Sequence, residues 1–287
     1  ARPSYGASKK MLARYMPELV PIYDELVELA GGGDAVARCL SLYRPTPYVH
    51  GCSQAVWLKG GPRLLRNYDY APGLWEALLL RTEWIQPVVA MSDCGWGALD
   101  GVNAAGVSVS LAFGGQKVTG DGFGIPLVLR YLLETCSTTE EAAAVLTRVP
   151  SHMAYNVTVL DAQGAFVTAY VGPDRNTTLS RRRVATNHQP RAVWSQYLHA
   201  VASIDRFNVL DTHVDAPAET TERFRRRFLE PPTYQVFRPG GWGTLYTAVY
   251  DPVARSAEYC WPGGMWTQSL ADFRESTVAI DYTAHPK

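Results

Sequence analysis

The chain holds five cysteines: Cys39, Cys52, Cys94, Cys136 and Cys260. A thiol acts as a nucleophile only where an accessible, electropositive setting favours thiolate. Cys39 falls in a short helical stretch, Cys136 ends an apolar helix, and Cys260 alternates in a strand beside Trp261, so these three read as buried core thiols. Cys94 follows Asp93, whose charge disfavours thiolate. Cys52 is set apart by its neighbours. It follows Gly51 at a loop-to-strand junction, precedes Ser53, and is followed by a strand that turns at Gly60-Gly61-Pro62. The returning strand carries Arg66-Asn67-Tyr68-Asp69 past the start of the first. A guanidinium beside a thiol lowers its pKa from about 8.5, and a carboxylate there would orient an ammonium or a general base.

Gly51-Cys52-Ser53, Arg66-Asn67-Tyr68-Asp69, the run Asp100 to Gly106 (DGVNAAG) and Thr186-Asn187-His188, in that order, resemble the penicillin acyltransferase-like (peptidase C45-type) family. These are cysteine N-terminal-nucleophile hydrolases related to choloylglycine hydrolases and penicillin V acylases. The resemblance runs from about Tyr48 to Asp251 and carries little of the N-terminal helices. It implies a four-layer αββα sandwich and a precursor that cuts itself between Gly51 and Cys52, giving a 51-residue and a 236-residue piece of the 287. Glycine, without a Cβ, can take the strained backbone such an attack requires. The freed Cys52 α-amine, with an ordinary pKa of about 7.7–8.0, would accept the thiol proton, so one residue supplies nucleophile and base. By the same resemblance Arg66 is the arginine beside the nucleophile and Asp69 the carboxylate that holds the α-amine. Asn187 would donate to the oxyanion from its side chain and Ala112, in Ser110–Phe113, from its backbone N–H. Arg206, in Ser203–Phe207, matches a second active-site arginine of the bile-salt relatives, with Arg223-Phe224 competing for that match.

The expected reaction is attack on a linear N-acyl amide through an acyl-Cys52 thioester, completed by water or by an amine. The alternatives are an unprocessed thiol hydrolase using a Cys52–His188 dyad and a non-catalytic binding protein on the same fold. Tyr68, Trp96, Phe113 and His188 are the candidate pocket residues, since apolar or aromatic side chains lining a pocket would select an apolar or aromatic acyl group. Asn103 reads as a turn residue between Gly101 and Gly106. His50, His152, His199 and His213 lack metal-ligand spacing and read as structural or surface residues. No metal or organic cofactor is implied. Arg181-Arg182-Arg183 reads as a solvated turn, and Arg223, Arg225, Arg226 and Arg227 as a wet helix face, with docking of coenzyme A phosphates as the alternative if acyl-coenzyme A is the donor.

Positioning these residues requires a large core. With 47% hydrophobic and 11% aromatic residues in 287, disorder and collagen are excluded. Zero formal charge argues against non-specific nucleic-acid binding. No membrane-length apolar run and no signal-like start are present, and scattered thiols without a CxxC pair fit a reducing cytoplasm. A homo-oligomer is left open. Apolar residues at spacings of three and four predict helices over 8–30, 34–42, 125–135, 138–148, 191–204 and 217–229. Strands are expected at Cys52–Leu58, Arg63–Tyr70, Ala77–Thr82, Val88–Ser92, Gly106–Phe113, Tyr155–Leu160, Ala165–Val171, Val184–Asn187, Thr244–Tyr250, Ser256–Trp261 and Thr277–Ile280. Hairpins and helix pairs in blocks give an α+β class with mainly antiparallel sheet. The expected division is an N-terminal helical segment, 1–51, and a catalytic core, 52–287.

Overall fold

The structure, a computed structural model, describes residues 3–191, 194–237 and 241–282. Its strands are β1 (Gly51–Trp57), β2 (Arg63–Tyr70), β3 (Leu79–Glu83), β4 (Pro87–Asp93), β5 (Gly97–Asn103), β6 (Val107–Phe113), β7 (Tyr155–Asp161), β8 (Phe166–Val171), β9 (Thr178–Ser180), β10 (Val184–Ala185), β11 (Gly243–Asp251), β12 (Ser256–Trp261) and β13 (Gly264–Ser269). Its α-helices are α1 (Tyr5–Tyr15), α2 (Val20–Leu29), α3 (Gly33–Leu40), α4 (Ile125–Thr135), α5 (Thr139–Arg148), α6 (Ser195–Ala200), α7 (Ser203–Val214) and α8 (Thr221–Arg227).

Two antiparallel sheets form, ordered β10-β1-β2-β11-β12-β13 and β3-β4-β5-β6-β7-β8-β9. They face each other through β1 and β2 against β6 and β7, and both faces of the central strands are covered, which is why β1, β5, β6 and β7 are buried along their whole length. Helices α4 and α5 lie outside the second sheet, and α7 with α8 outside the first, completing four layers. The β1–β2 hairpin turns where Gly60 and Gly61 take positive φ, and its register sets Gly51 opposite Asp69 and Cys52 opposite Tyr68.

Several elements depart from expectation. The single helix over 8–30 is broken: Pro17 lacks the N–H that a continuous helix needs, and a 3-10 turn, Pro17–Leu19, links α1 to α2. The helix over 191–204 is shorter, and Ser203–Val214 is a separate helix begun at left-handed Ala202. Strands β5, β9 and β13 are additions to the expected set, and 277–280 pairs with no strand. Strand β5 is masked in the sequence by Gly97 and Gly101. Helix α4 explains them: a Cβ on Gly97 would lie 2.6 Å from Pro126 Cβ, and one on Gly101 2.8 Å from Leu133 Cδ1. The N-terminal helices merge with the main core, where Leu12, Met16, Leu19 and Tyr23 are buried with residues of both sheets. Among the described residues no helix is long and apolar enough to cross a membrane.

Candidate active site

Cys52 is the second residue of β1 and is fully buried. Its Sγ lies 3.3 Å from Arg66 Nη2 and 3.1 Å from His50 Nδ1. The Arg66–thiol contact follows from the hairpin, but the guanidinium is held on all sides: Nε donates to the Leu111 carbonyl at 3.1 Å, and Nη1 donates to Tyr246 Oη at 2.9 Å and to the Asp100 carboxylate. Tyr246 Oη also donates to Asp100 Oδ2 at 2.7 Å, and the Tyr68 ring lies under the guanidinium, 4.8 Å from its carbon. Asp100, in the DGVNAAG run, is therefore the buried counter-charge of Arg66.

A second arginine fixes the backbone at Cys52. Arg206, from α7, donates through Nη1 to the Cys52 carbonyl and to Ser53 Oγ, and lies 3.3 Å from Asp69 Oδ2. Its Nη2 donates to Asn187 Oδ1 at 2.6 Å, and that same oxygen accepts the Cys52 backbone N–H at 2.8 Å. Asn187 Nδ2 donates to the carbonyls of His50 and Phe113, and Tyr197 Oη donates to the His50 carbonyl at 2.7 Å. Asp69 completes the ring, accepting from Thr244 Oγ1 at 2.7 Å. Cys52, Arg66, Asp69, Asn187 and Arg206 thus come together, whereas Arg223 donates to the Ala218 carbonyl on a wet helix face. The neighbouring Arg225 and Arg227 are ion-paired with Glu222, Glu258 and Glu219.

The other candidates are dispersed. Ala112 is in β6 opposite Asn156, one residue past the carbonyl that holds Arg66. Tyr68 and Phe113 border the cluster. Trp96 does not: its indole N–H donates to the Leu40 carbonyl and its ring packs with Tyr23 and Trp84. His188 turns its Nδ1 to Ser203 Oγ at 2.9 Å and packs on Phe207, so the histidine at the thiol is His50 instead. The sequence signal for His50 is its spacing: in extended backbone, residues two apart project to the same side.

Burial governs the electrostatics. It pushes the Cys52 thiol up to about 11, outweighing the downward pull that Arg66, as expected, and Arg206 exert in the continuous chain. Burial also raises Asp69 against the pull of Arg206 and Thr244, and lowers His50 to about 3 with help from Arg66. Gly51 has ordinary extended backbone rather than a strained left-handed one; what it needs is room, since a Cβ would lie 2.8 Å from Trp242 Cη2 and 3.0 Å from Asp69 Cβ. Among the described residues no group of three or more His, Cys, Asp or Glu side chains could hold a metal ion.

The architecture is shared with solved structures. Penicillin V acylase from Agrobacterium tumefaciens superposes with a TM-score of 0.55 at 16% identity, over 77% of this chain and 86% of that one. A mutant form of conjugated bile acid hydrolase from Clostridium perfringens gives 0.55 at 11% identity, over 80% and 97%. Both are N-terminal-nucleophile hydrolase folds. No curated protein sequence matches. A sequence model described as "Acyl-coenzyme A:6-aminopenicillanic acid acyl-transferase" matches residues 57–266, beginning five residues after Cys52. With most of its length matched and this fold around the thiol, the chain belongs to the acyl-coenzyme A:6-aminopenicillanic acid acyl-transferase family.

Proposed function

We propose that the chain is a self-processing cysteine N-terminal-nucleophile enzyme that hydrolyses or transfers the acyl group of a linear N-acyl amide. The observation that carries this reading is the setting of the Gly51–Cys52 peptide. A thiol is flanked by a guanidinium, the peptide's N–H and the following carbonyl are pinned by Asn187 and Arg206, and Gly51 has no room for a side chain. Family membership and the penicillin V acylase and bile acid hydrolase folds support the same class of chemistry.

In maturation the Cys52 sulfur attacks the Gly51 carbonyl carbon. The C–N bond breaks, the proton lost by sulfur ends on the departing nitrogen, and water hydrolyses the thioester to a Gly51 carboxylate and a free Cys52 thiol. Residues 1–51 become one piece and 52–287 the catalytic core. In turnover the new α-amine takes the thiol proton, and sulfur attacks the substrate amide. The oxyanion is met by the Asn187 side chain and the Ala112 N–H, and the amine leaves with the proton. Water or an acceptor amine then takes the acyl group from Cys52. Asp69, opposite Gly51 and 3.3 Å from Arg206, would hold the α-amine. Arg66 positions sulfur. Because Cys52 is fully buried, substrate entry calls for a neighbouring segment to move, and in this reading it is the one ending at Gly51. Acyl-coenzyme A as donor, and an amine as acceptor, remain within this reading.

Intact mass measurement tests it. The expected outcome is scission before Cys52 in the native chain, none in Cys52→Ala, and acyl-Cys52 formation with N-acyl amides only after scission. An uncleaved chain that still hydrolyses amides favours an unprocessed dyad of Cys52 with His50, which the 3.1 Å contact permits. An uncleaved, inert chain favours a binding protein.

A further inference from the structure

In the continuous chain the Cys52 α-nitrogen is an amide whose lone pair is delocalised into the Gly51 carbonyl and whose N–H is given to Asn187 Oδ1, so it cannot take the thiol proton. The base proposed for turnover does not exist until the first cut is finished. Arg66 cannot serve, being a donor already engaged with Asp100 and Tyr246. Among the described residues the other side chain hydrogen-bonded to Sγ is the His50 imidazole, 3.1 Å away through Nδ1 and fully buried. We infer that His50 is the general base of self-cleavage, a role that rests on the maturation reading above and ends with it, because the cut separates His50 from the nucleophile.

The surroundings of the ring fit a transient proton carrier. It is held among Tyr48, Tyr68, Tyr70 and Tyr155, with centroids 5.3–6.3 Å away. Among the described residues its buried Nε2 has no hydrogen-bond partner, as is also true of His152 Nε2. The Gly51 backbone favours the protonated ring, against burial and Arg66. Aromatic faces also attract a cation, while Arg66 and burial oppose it, so the charged ring is short-lived. The groups facing His50 are those four phenols, the Cys52 thiol and Arg66; Tyr48 in turn donates to Asp93.

The step balances. As sulfur bonds to the Gly51 carbonyl carbon, its proton passes to His50 Nδ1. As the tetrahedral adduct collapses, the C–N bond breaks and His50 returns that proton to the Cys52 nitrogen, leaving a neutral imidazole, a thioester and a free amine. Neither partner ionises readily alone in this site, so transfer accompanies bond formation. A thiol–imidazole pair and its proton-transferred form carry the same number of protons, so their ratio does not change with pH.

The test follows the full-length chain made in a brief cell-free synthesis, moved to buffers of pH 6 to 9 and sampled by intact mass. The wild-type cleavage rate is expected to be flat across this range. His50→Gln, which fills the site without a basic nitrogen, is expected to cleave on the order of 10²-fold more slowly, with a rate rising about tenfold per pH unit as hydroxide takes over the proton. A His50→Gln rate equal to wild type overturns the inference. A wild-type rate that itself climbs tenfold per unit does so too, and that measurement stands even if the variant fails to fold. A wild-type chain that never cleaves removes the maturation reading itself, which is a different result from either.

Discussion

A methyl group on Gly51 would press against both the Trp242 indole and the Asp69 side chain, at 2.8 and 3.0 Å, so that one of them or the peptide itself must shift to admit it. If the chain matures as proposed, Gly51→Ala is expected to shift the peptide from the thiol and slow that cleavage by at least ~10²-fold, with Trp242→Ala in the same chain restoring part of the rate. The fraction of uncut chain by mass spectrometry checks both. Arg66 and Asp100 make a second residue-scale prediction. Removing one buried partner strands the other: Arg66→Leu should cost about 3–5 kcal/mol, and Arg66→Leu with Asp100→Leu clearly less than the sum of the single changes. Urea unfolding of the four corners of that cycle, in an uncleavable Cys52→Ala background, reads the coupling. Arg66 and Asp69 are legible in the sequence, because a hairpin fixes which residues oppose which. Arg206 carries only a motif match: it reaches Cys52 across 154 positions, a separation over which no periodicity speaks. His50 reads as structural when metal spacing is the pattern sought, although two residues upstream on an extended strand is the same side as the thiol.

Elements repeat that contrast. Alternation and a Gly-Gly-Pro turn announce β1 and β2, whereas β5 hides behind glycines whose purpose is the close approach of α4. The break between α6 and α7 falls at Ala202, a left-handed residue with no glycine or proline to mark it. Asn103 reads from sequence as shaping the turn after β5. It does accept the Val107 N–H at 2.8 Å, but its Nδ2 also donates to the carbonyls of Leu133 and Cys136, satisfying the C-terminal end of α4. Asn103→Ala takes the acceptor from the buried Val107 N–H and leaves the two carbonyls only their bonds from Gln86 Nε2; it should cost about 1–3 kcal/mol, read as a lower urea midpoint, without touching the thiol's immediate contacts.

Across the whole molecule, buried ionisable groups set the response to acid. His50 titrates at about 3 when folded against an ordinary 6.5, so the unfolded chain takes its proton first. Stability from this group is full above pH 6.5 and is lost as pH falls toward 3. Asp69, raised by burial, has the opposite sign and offsets part of that loss at the acid end. The Cys52→Ala chain should lose stability from pH 6.5 downward, and adding His50→Gln should remove about 3 kcal/mol of the fall by pH 4, measured by urea unfolding at each pH. The N-terminal helices have a further consequence. Leu12, Met16, Leu19 and Tyr23 share one core with both sheets, and Tyr131 and Trp96 tie Glu18 and Leu40 to it. A chain severed after Gly51 would thus keep its hydrodynamic size, yet its halves, once melted apart, could reunite only by bimolecular encounter. Maturation would turn a protein able to renature alone into one preserved chiefly by the slowness of its unfolding.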